Sequence, residues 1–123
     1  MIISRTPVRM SLAGGGSDLS AYYRQSPGAV LSTSIDKYVY VMINQKFDNY
    51  IRISYSQTEY VNDINEIGHN IIRETLRKMD FKDPGLDIVY MADVLPRNWG
   101  TGLGFSSSLT VGLLNAIYAV RGQ

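Results

Sequence analysis

Cysteine is absent from this 123-residue sequence, and histidine occurs once, as His69. The first absence excludes disulfides and thiolate metal sites, and the second leaves no zinc cluster and no serine–histidine pair of the ordinary catalytic kind. Charge is nearly balanced, because 12 Lys and Arg oppose 11 Asp and Glu. A net charge of +1 gives no bulk attraction to nucleic acid or to an anionic membrane. Any bound metal is therefore expected to be an oxygen-ligated ion such as Mg²⁺.

Long apolar runs are missing as well. The first ten residues, MIISRTPVRM, contain too short an apolar stretch for a signal peptide, and no run reaches the roughly 18 apolar residues that span a bilayer. These absences predict a cytoplasmic protein with no membrane partner. Repeats and low-complexity linkers are also lacking, so the chain is expected to form one domain with its own core.

The most informative stretch that is present covers residues 95–120, LPRNWGTGLGFSSSLTVGLLNAIYAV. Three alternating glycines, Gly100, Gly102 and Gly104, lead into three serines and then into an apolar segment with helical spacing. Glycine lets the backbone approach a ligand closely, and the first turn of a helix leaves N–H groups unpaired at the positive end of its dipole. The pattern predicts an anion site, best suited to phosphate, on a helix that begins at about Ser107.

Common catalytic loops do not fit this stretch. A GxxxxGK[ST] loop lacks its lysine, a GxGxxG loop fails because the third glycine comes one residue early, and a GxSxG elbow lacks its second glycine. Ser106, Ser107 and Ser108 can cap the helix or ligate a Mg²⁺ that a nucleotide carries. A plain cap cluster on an ordinary turn stays open as the alternative.

A second glycine-rich segment lies near the N-terminus, where Gly14, Gly15 and Gly16 precede Ser17 and Asp18. Three consecutive glycines are costly to order, so the backbone here is expected to lie close to something. The aspartate has two interpretations. It is a turn or N-cap residue, or it is a carboxylate directed at ligand hydroxyls.

The remaining pattern predicts an α+β fold, in which a mixed sheet carries helices on one face. Strand pieces are expected at 1–4 and 8–12, a hairpin at 28–35 and 38–44 that turns at Asp36 and Lys37, and further strands at 50–55 and 86–91. A helix is predicted over 63–79, with His69 off its apolar stripe and in solvent.

Two features of the sequence are relevant to binding partners. Basic residues and tyrosines alternate between residues 37 and 55, a pattern that can stack nucleic-acid bases. Tyrosine is common in sheets in any case and the net charge is near zero, so no nucleic-acid partner is expected. The last helix is apolar nearly all round, which predicts burial within a larger body. A homodimer is one way to cover it.

Two motifs resemble those of the GHMP kinases. Residues 102–108, GLGFSSS, resemble the GLGSS[AS] phosphate loop of that superfamily, and residues 7–19, PVRMSLAGGGSDL, resemble its N-terminal motif. The second motif is most similar to the AGGG[ST]DL branch, which includes the D-glycero-D-manno-heptose 7-phosphate kinases. The resemblance covers all 123 residues but only the N-terminal part of a family member. It implies a fold like ribosomal protein S5 domain 2, with ATP and sugar bound by residues 1–123 and the C-terminal domain absent from this chain.

The resemblance also implies roles for single residues. The ATP phosphates would be bound by Gly100, Gly102, Leu103, Gly104, Phe105, Ser106 and Ser107. Ser106 would in addition ligate Mg²⁺, and Arg9 would be the catalytic residue that approaches the transferred phosphoryl group. Sugar binding would fall to Gly15, Gly16, Ser17 and Asp18. Phe105 departs from the family pattern, which has serine at that position.

The implied activity is transfer of the γ-phosphoryl group of ATP, with Mg²⁺, to a hydroxyl of a sugar or sugar phosphate. The family's later glutamate and aspartate and its C-terminal glycine motif would lie beyond Gln123, so a fragment with little activity of its own is expected. The alternative is a non-catalytic module on the same fold that binds a nucleotide, another anion or RNA.

Overall fold

The computed structural model of the chain describes residues 1–81, 85–94 and 103–122. The predicted α+β class is confirmed. In chain order the elements are β1 (Ile2–Ala13), α1 (Ser20–Tyr23), β2 (Leu31–Gln45), β3 (Ile51–Ser54), β4 (Thr58–Val61), a 3₁₀ turn (Ile64–Glu66), α2 (Asn70–Lys78), β5 (Leu86–Ala92) and α3 (Phe105–Val120). None of the helices in these ranges is long and apolar enough to cross a bilayer.

The five strands form one mixed sheet in the order β1-β2-β5-β3-β4. Neighbouring strands are antiparallel except β3 and β5, which are parallel. Because β2 pairs with β5 only from Val39 onward, the first half of β2 and the second half of β1 extend beyond the rest of the sheet as a ribbon. This ribbon carries the first glycine motif at its end.

Alternate residues of the strands point to one face of the sheet, as period-two patterning requires. Val39, Val41 and Ile43 of β2 are at most 1% exposed, and the same alternation continues in β3 and β5. These side chains share one core cluster with residues of the two long helices, namely Ile72, Leu76, Leu109, Leu113, Ala116 and Ile117. The helices therefore cover one face of the sheet, as predicted.

The first two strands differ from the prediction. The two short pieces expected at 1–4 and 8–12 are one strand, and Pro7 is tolerated there because β1 is an edge strand. The turn expected at Asp36 and Lys37 is wrong, since β2 runs straight through it. Between the pairs Pro7–Tyr38 and Arg9–Ser34, one residue of β1 faces three of β2. Asp36 and Lys37 therefore lie in a β-bulge.

The single helix expected over 63–79 is also wrong. Asp63 caps only the 3₁₀ turn, accepting the Asn65 N–H at 2.6 Å, and Ile67 is extended. The N–H of Gly68 donates to Glu59 Oε2 at 2.6 Å. This carboxylate from β4 therefore accepts a backbone N–H that would donate to a helix carbonyl if the helix were continuous. The α2 helix therefore starts anew at Asn70. Strand β4 itself was not predicted.

Candidate functional site

The N-terminus of α3 is docked on β1 by hydrogen bonds at two levels. The N–H of Arg9 donates to the carbonyl of Leu103 at 3.1 Å, and Ser108 Oγ donates to the carbonyl of Pro7 at 2.9 Å. Ser108 is only 6% exposed. These bonds hold the first turn of α3 beside the middle of β1, so the described part of the glycine and serine segment, from Leu103 onward, lies next to Arg9.

Gly104 makes this close approach feasible. It is the N-cap of α3 and has a φ of 63°, in the left-handed region that glycine adopts without strain. A Cβ at this position would lie 2.9 Å from Cγ and 3.3 Å from Nε of Arg9. The arginine side chain therefore passes directly over the start of the helix. The helix begins at Phe105, two residues before the predicted Ser107.

The electrostatics at this point favour an anion. The N–H groups of Phe105, Ser106 and Ser107 precede the first residue that can bond within the 16-residue helix, and they lie at its positive end. The guanidinium of Arg9, with 37% of its side chain exposed, adds a full positive charge next to them. Ser106 and Ser107 are both exposed. These groups suit an anion, and the binding of phosphate at this point stays a prediction.

Asp18 closes the other side of the site. Its Oδ2 lies 3.7 Å from Nη2 of Arg9, and its Oδ1 accepts the N–H of Gly16 at 3.1 Å. The N-cap of α1 is Leu19, without a side-chain capping bond, so Asp18 does not cap that helix. Asp18 is thus a turn residue of the glycine loop, and its direction toward ligand hydroxyls stays a prediction.

The three consecutive glycines differ in what they require. A Cβ on Gly14 would overlap the carbonyl oxygen of Ala29, so packing demands glycine there. Gly16 has a φ of 101° but no atom within 4 Å of an added Cβ. Around Gly15 the nearest atom would be Cβ of Ser11, at an ordinary 3.6 Å. Gly15 and Gly16 therefore leave open space at the site, whereas Gly14 fixes the loop.

Ser17, also predicted to bind sugar, uses its hydroxyl within the loop. Its Oγ lies 2.8 Å from the carbonyl oxygen of Gly14 and 3.0 Å from that of Ala29, and both distances suit donation. The side chain thereby ties the glycine loop to the chain that enters β2. Any role toward a ligand would compete with these bonds.

The predicted metal ligand, Ser106, lies in the first turn of α3, where its carbonyl accepts the hydroxyl of Thr110 at 2.8 Å. Within residues 1–81, 85–94 and 103–122 there is no group of three or more His, Asp or Glu that could hold a metal ion. An ion here would depend on the Ser106 hydroxyl and on oxygens of the ligand itself. Gly100 and Gly102, predicted to bind the ATP phosphates, lie outside the described residues.

A cluster of aromatic rings anchors this end of α3 and was not predicted. The ring of Phe105 packs against Tyr90 of β5, with centroids 6.2 Å apart. Tyr90 stacks on Tyr55 at 5.5 Å with 9° between the planes, and its hydroxyl lies 3.1 Å from Nε2 of His69. The one sequence signal for the cluster is the departure at Phe105. Where the GHMP kinase motif has a serine, this chain has a ring that joins the first turn of α3 to the core.

His69 was expected in solvent, and that prediction is wrong. The residue is the N-cap of α2, and its Nδ1 accepts the N–H of Ile72 at 3.4 Å. Accepting at Nδ1 requires a neutral ring with its proton on Nε2, next to the Tyr90 hydroxyl. Burial lowers the pKa of His69, although the nearby Glu59 carboxylate acts in the opposite direction. The histidine is a structural residue of the aromatic cluster.

Two cations of the basic and aromatic pattern are already paired. Arg52 donates to both carboxylate oxygens of Asp87, at 2.8 and 2.5 Å, and this hydrogen bonding raises the pKa of the guanidinium. Lys46 lies 3.0 Å from Asp48. These two ion pairs reduce the positive charge that could attract a nucleic acid. The lack of a nucleic-acid partner, the homodimer and the cytoplasmic location stay predictions.

Comparison with solved structures places the fold among kinases of small molecules. A D-glycero-D-manno-heptose 1-phosphate kinase of Bacteroides thetaiotaomicron superposes with a TM-score of 0.82 at 24% identity, covering 100% of this chain and 43% of that one. A phosphomevalonate kinase of Streptococcus pneumoniae, in complex with phosphomevalonate and AMPPNP, gives a TM-score of 0.70 at 21% identity, covering 99% and 37%. No family model matches the chain.

One curated protein is similar to this chain in sequence. The chain is 28% identical over 126 residues to a D-glycero-alpha-D-manno-heptose 7-phosphate kinase of Campylobacter jejuni, covering 94% of this chain and 36% of the relative. The predicted resemblance to GHMP-type kinases, in the heptose phosphate branch, is confirmed by these similarities, and the match to their N-terminal part stays a prediction. The chain spans less than half the length of each of these three proteins.

Proposed function

We propose that this chain forms the nucleotide- and acceptor-binding portion of an ATP-dependent kinase that phosphorylates a hydroxyl of a heptose-like sugar phosphate. The observation that carries the proposal is the docking of α3 on β1, which sets Arg9 between the first-turn amides and Asp18. Phosphoryl transfer depends on positioning and on charge stabilisation, and these groups suit both needs. The heptose phosphate kinase relative and the AMPPNP complex of a structural neighbour support it.

Each group has a role in this proposal. The amides of the first turn of α3 bind the ATP phosphates, and Gly104 lets them approach closely. The guanidinium of Arg9 stabilises charge on the equatorial oxygens of the transferred phosphoryl group. Asp18 accepts hydrogen bonds from acceptor hydroxyls. A Mg²⁺ on the Ser106 hydroxyl and the phosphate oxygens would neutralise negative charge as it develops.

The acceptor class follows from the open space in the glycine loop. Side chains are missing at Gly15 and Gly16, and a Cβ at either position would meet no atom closer than 3.6 Å. A bulky or already phosphorylated sugar therefore fits better than it would beside larger residues. Release of ADP with heptose phosphate, compared with galactose, tests this preference in the longest available form of the protein.

A titration of the chain with ATP and Mg²⁺, followed by amide NMR, tests the nucleotide site. The amides of Gly104, Phe105, Ser106 and Ser107 should shift and saturate, and Arg9→Ala should weaken binding about tenfold or more, because hydrogen bonds to charged groups are strong. Arg5→Ala is the matched control, since Arg5 lies on the same strand and stacks on Tyr38 at 4.5 Å.

Unmoved amides in a folded protein would refute the nucleotide site. Equal losses in the Arg9 and Arg5 variants would point to general charge rather than to this site. Binding of RNA that weakens steeply with salt would favour the alternative module.

A further inference from the structure

We infer that Ser11 is a positioning residue that orients the guanidinium of Arg9, an inference that rests on the proposed function. Ser11 Oγ accepts a hydrogen bond from Nη1 of Arg9 at 2.6 Å. The two residues are two positions apart on β1, so their side chains leave the strand on the same face. The bond is short and made by a charged donor, which places it among the stronger hydrogen bonds.

The other contacts of Arg9 leave its orientation loose. The aliphatic stem passes against Gly104, which limits where the side chain runs but not how the guanidinium turns. The contact with Asp18 is 3.7 Å long, and the two side chains are 37% and 51% exposed. Exposed ion pairs at such distances hold geometry weakly. The bond to Ser11 is therefore the contact that sets the plane of the guanidinium.

This bond lies beside the open part of the site. A Cβ on Gly15 would lie 3.6 Å from Cβ and 3.9 Å from Oγ of Ser11. An anion that enters the space left by Gly15 thus meets an arginine whose direction is already fixed. Orientation before binding removes part of the ordering cost of the complex.

A double-mutant cycle on this chain, with affinity for ATP and Mg²⁺ measured by calorimetry, tests the inference. Ser11→Ala should weaken binding by about 3- to 10-fold, the range expected for freeing one long side chain. Ser11→Thr keeps the hydroxyl and should restore most of the affinity. In an Arg9→Ala background, Ser11→Ala should have no further effect, because its partner is gone.

The matched control is Ser32→Ala. Ser32 is the residue opposite Ser11 on β2 and is exposed, so its loss changes the same ribbon without touching Arg9. Its affinity should equal that of the unmodified chain. A loss in Ser11→Ala that persists undiminished in the Arg9→Ala background would overturn the inference, since Ser11 would then act independently of Arg9.

A second measurement needs no ligand. The guanidinium NMR signals of Arg9 should show faster rotation in Ser11→Ala than in the unmodified chain, and Ser11→Cys, a weaker acceptor, should lie between. Unchanged rotation would overturn the inference even if the proposed function stands. If Arg9→Ala leaves ATP affinity unchanged while the guanidinium signals respond to Ser11, the proposed function fails instead.

Discussion

The two sides of the candidate site are held in place in different ways. On the α3 side, buried Ser108 bonds to the carbonyl of Pro7, and Phe105 packs on Tyr90. On the glycine-loop side, the exposed Asp18 bonds mainly to the backbone of its own turn. The α3 side is thus an extension of the core, whereas the glycine-loop side is a local turn at the end of a ribbon.

Under the proposed function, this difference separates the stability of the fold from the choice of acceptor. A change on the α3 side removes contacts that also stabilise the fold, so it is expected to lower the free energy of unfolding together with binding. A change at Asp18 removes only exposed contacts, whose contribution to folding is small. Under the proposed function, the acceptor preference can therefore vary in sequence while the nucleotide site stays as it is.

The largest effect on stability is expected from Phe105→Ser, which introduces the serine of the GHMP kinase motif. Removing a half-buried ring should lower the free energy of unfolding by about 2 kcal/mol, part of the cost of deleting a fully buried one. Urea denaturation measures it. Tyr118→Ser is the control, since Tyr118 lies on the same helix and is 45% exposed. Equal losses of unfolding free energy in the two variants would show that the packing of Phe105 on Tyr90 adds no particular stability to the α3 side.

Ser108→Ala should have the next largest effect. It removes one hydrogen bond from a buried hydroxyl and should lower the free energy of unfolding by about 1 kcal/mol. Ser107→Ala, one residue earlier and exposed, should change it by less than about 0.5 kcal/mol. If the two serines behave alike in urea, the docking bond to Pro7 does not distinguish the two sides.

Acid should weaken the α3 side through His69, the only histidine in the sequence. Its pKa is lowered by burial in the fold, so the unfolded chain binds the proton more readily. The stabilisation is complete above the ordinary histidine pKa of about 6.5 and is lost as pH falls through the lower folded value. Protonation also puts a hydrogen on Nδ1, which then cannot accept the Ile72 N–H.

The measurement is the free energy of unfolding between about pH 7.5 and pH 5, where ordinary carboxylates stay largely ionised. His69→Asn supplies another good N-cap without a titrating ring, so its stability should vary less with pH over this range. An unchanged slope in that variant would assign the pH dependence to other groups.

Much of this architecture could be predicted because it depends on local patterns. The apolar alternation of Val39, Val41 and Ile43 marks a strand with one buried face, and that face is where the helices pack. Gly104 and Gly14 could be singled out because their motifs concentrate glycine where the backbone needs it. The structure gives both a positive φ and a close neighbour.

The failures occurred where distant residues decide the local structure. Asp36 and Lys37 look like a turn, and only pairing with β1 shows that a bulge carries them. The break before α2 depends on Glu59, nine residues before the Gly68 N–H that it accepts. The role of His69 depends on Tyr90, 21 residues away. None of these long-range partners can be read from the spacing of apolar residues.

The smallest effect on stability, and the sharpest test of the comparison, is expected from Asp18→Asn. The 3.7 Å pair with Arg9 is exposed, so the free energy of unfolding should change by less than about 0.5 kcal/mol. Affinity for ATP should change little, whereas affinity for heptose phosphate should fall about tenfold if the carboxylate accepts hydrogen bonds from its hydroxyls. Asp48→Asn is the control, because it removes a carboxylate from another exposed pair, with Lys46. A loss of stability comparable to that of Ser108→Ala would show that the loop belongs to the core after all. Unchanged affinity for heptose phosphate would show that Asp18 is only a turn residue.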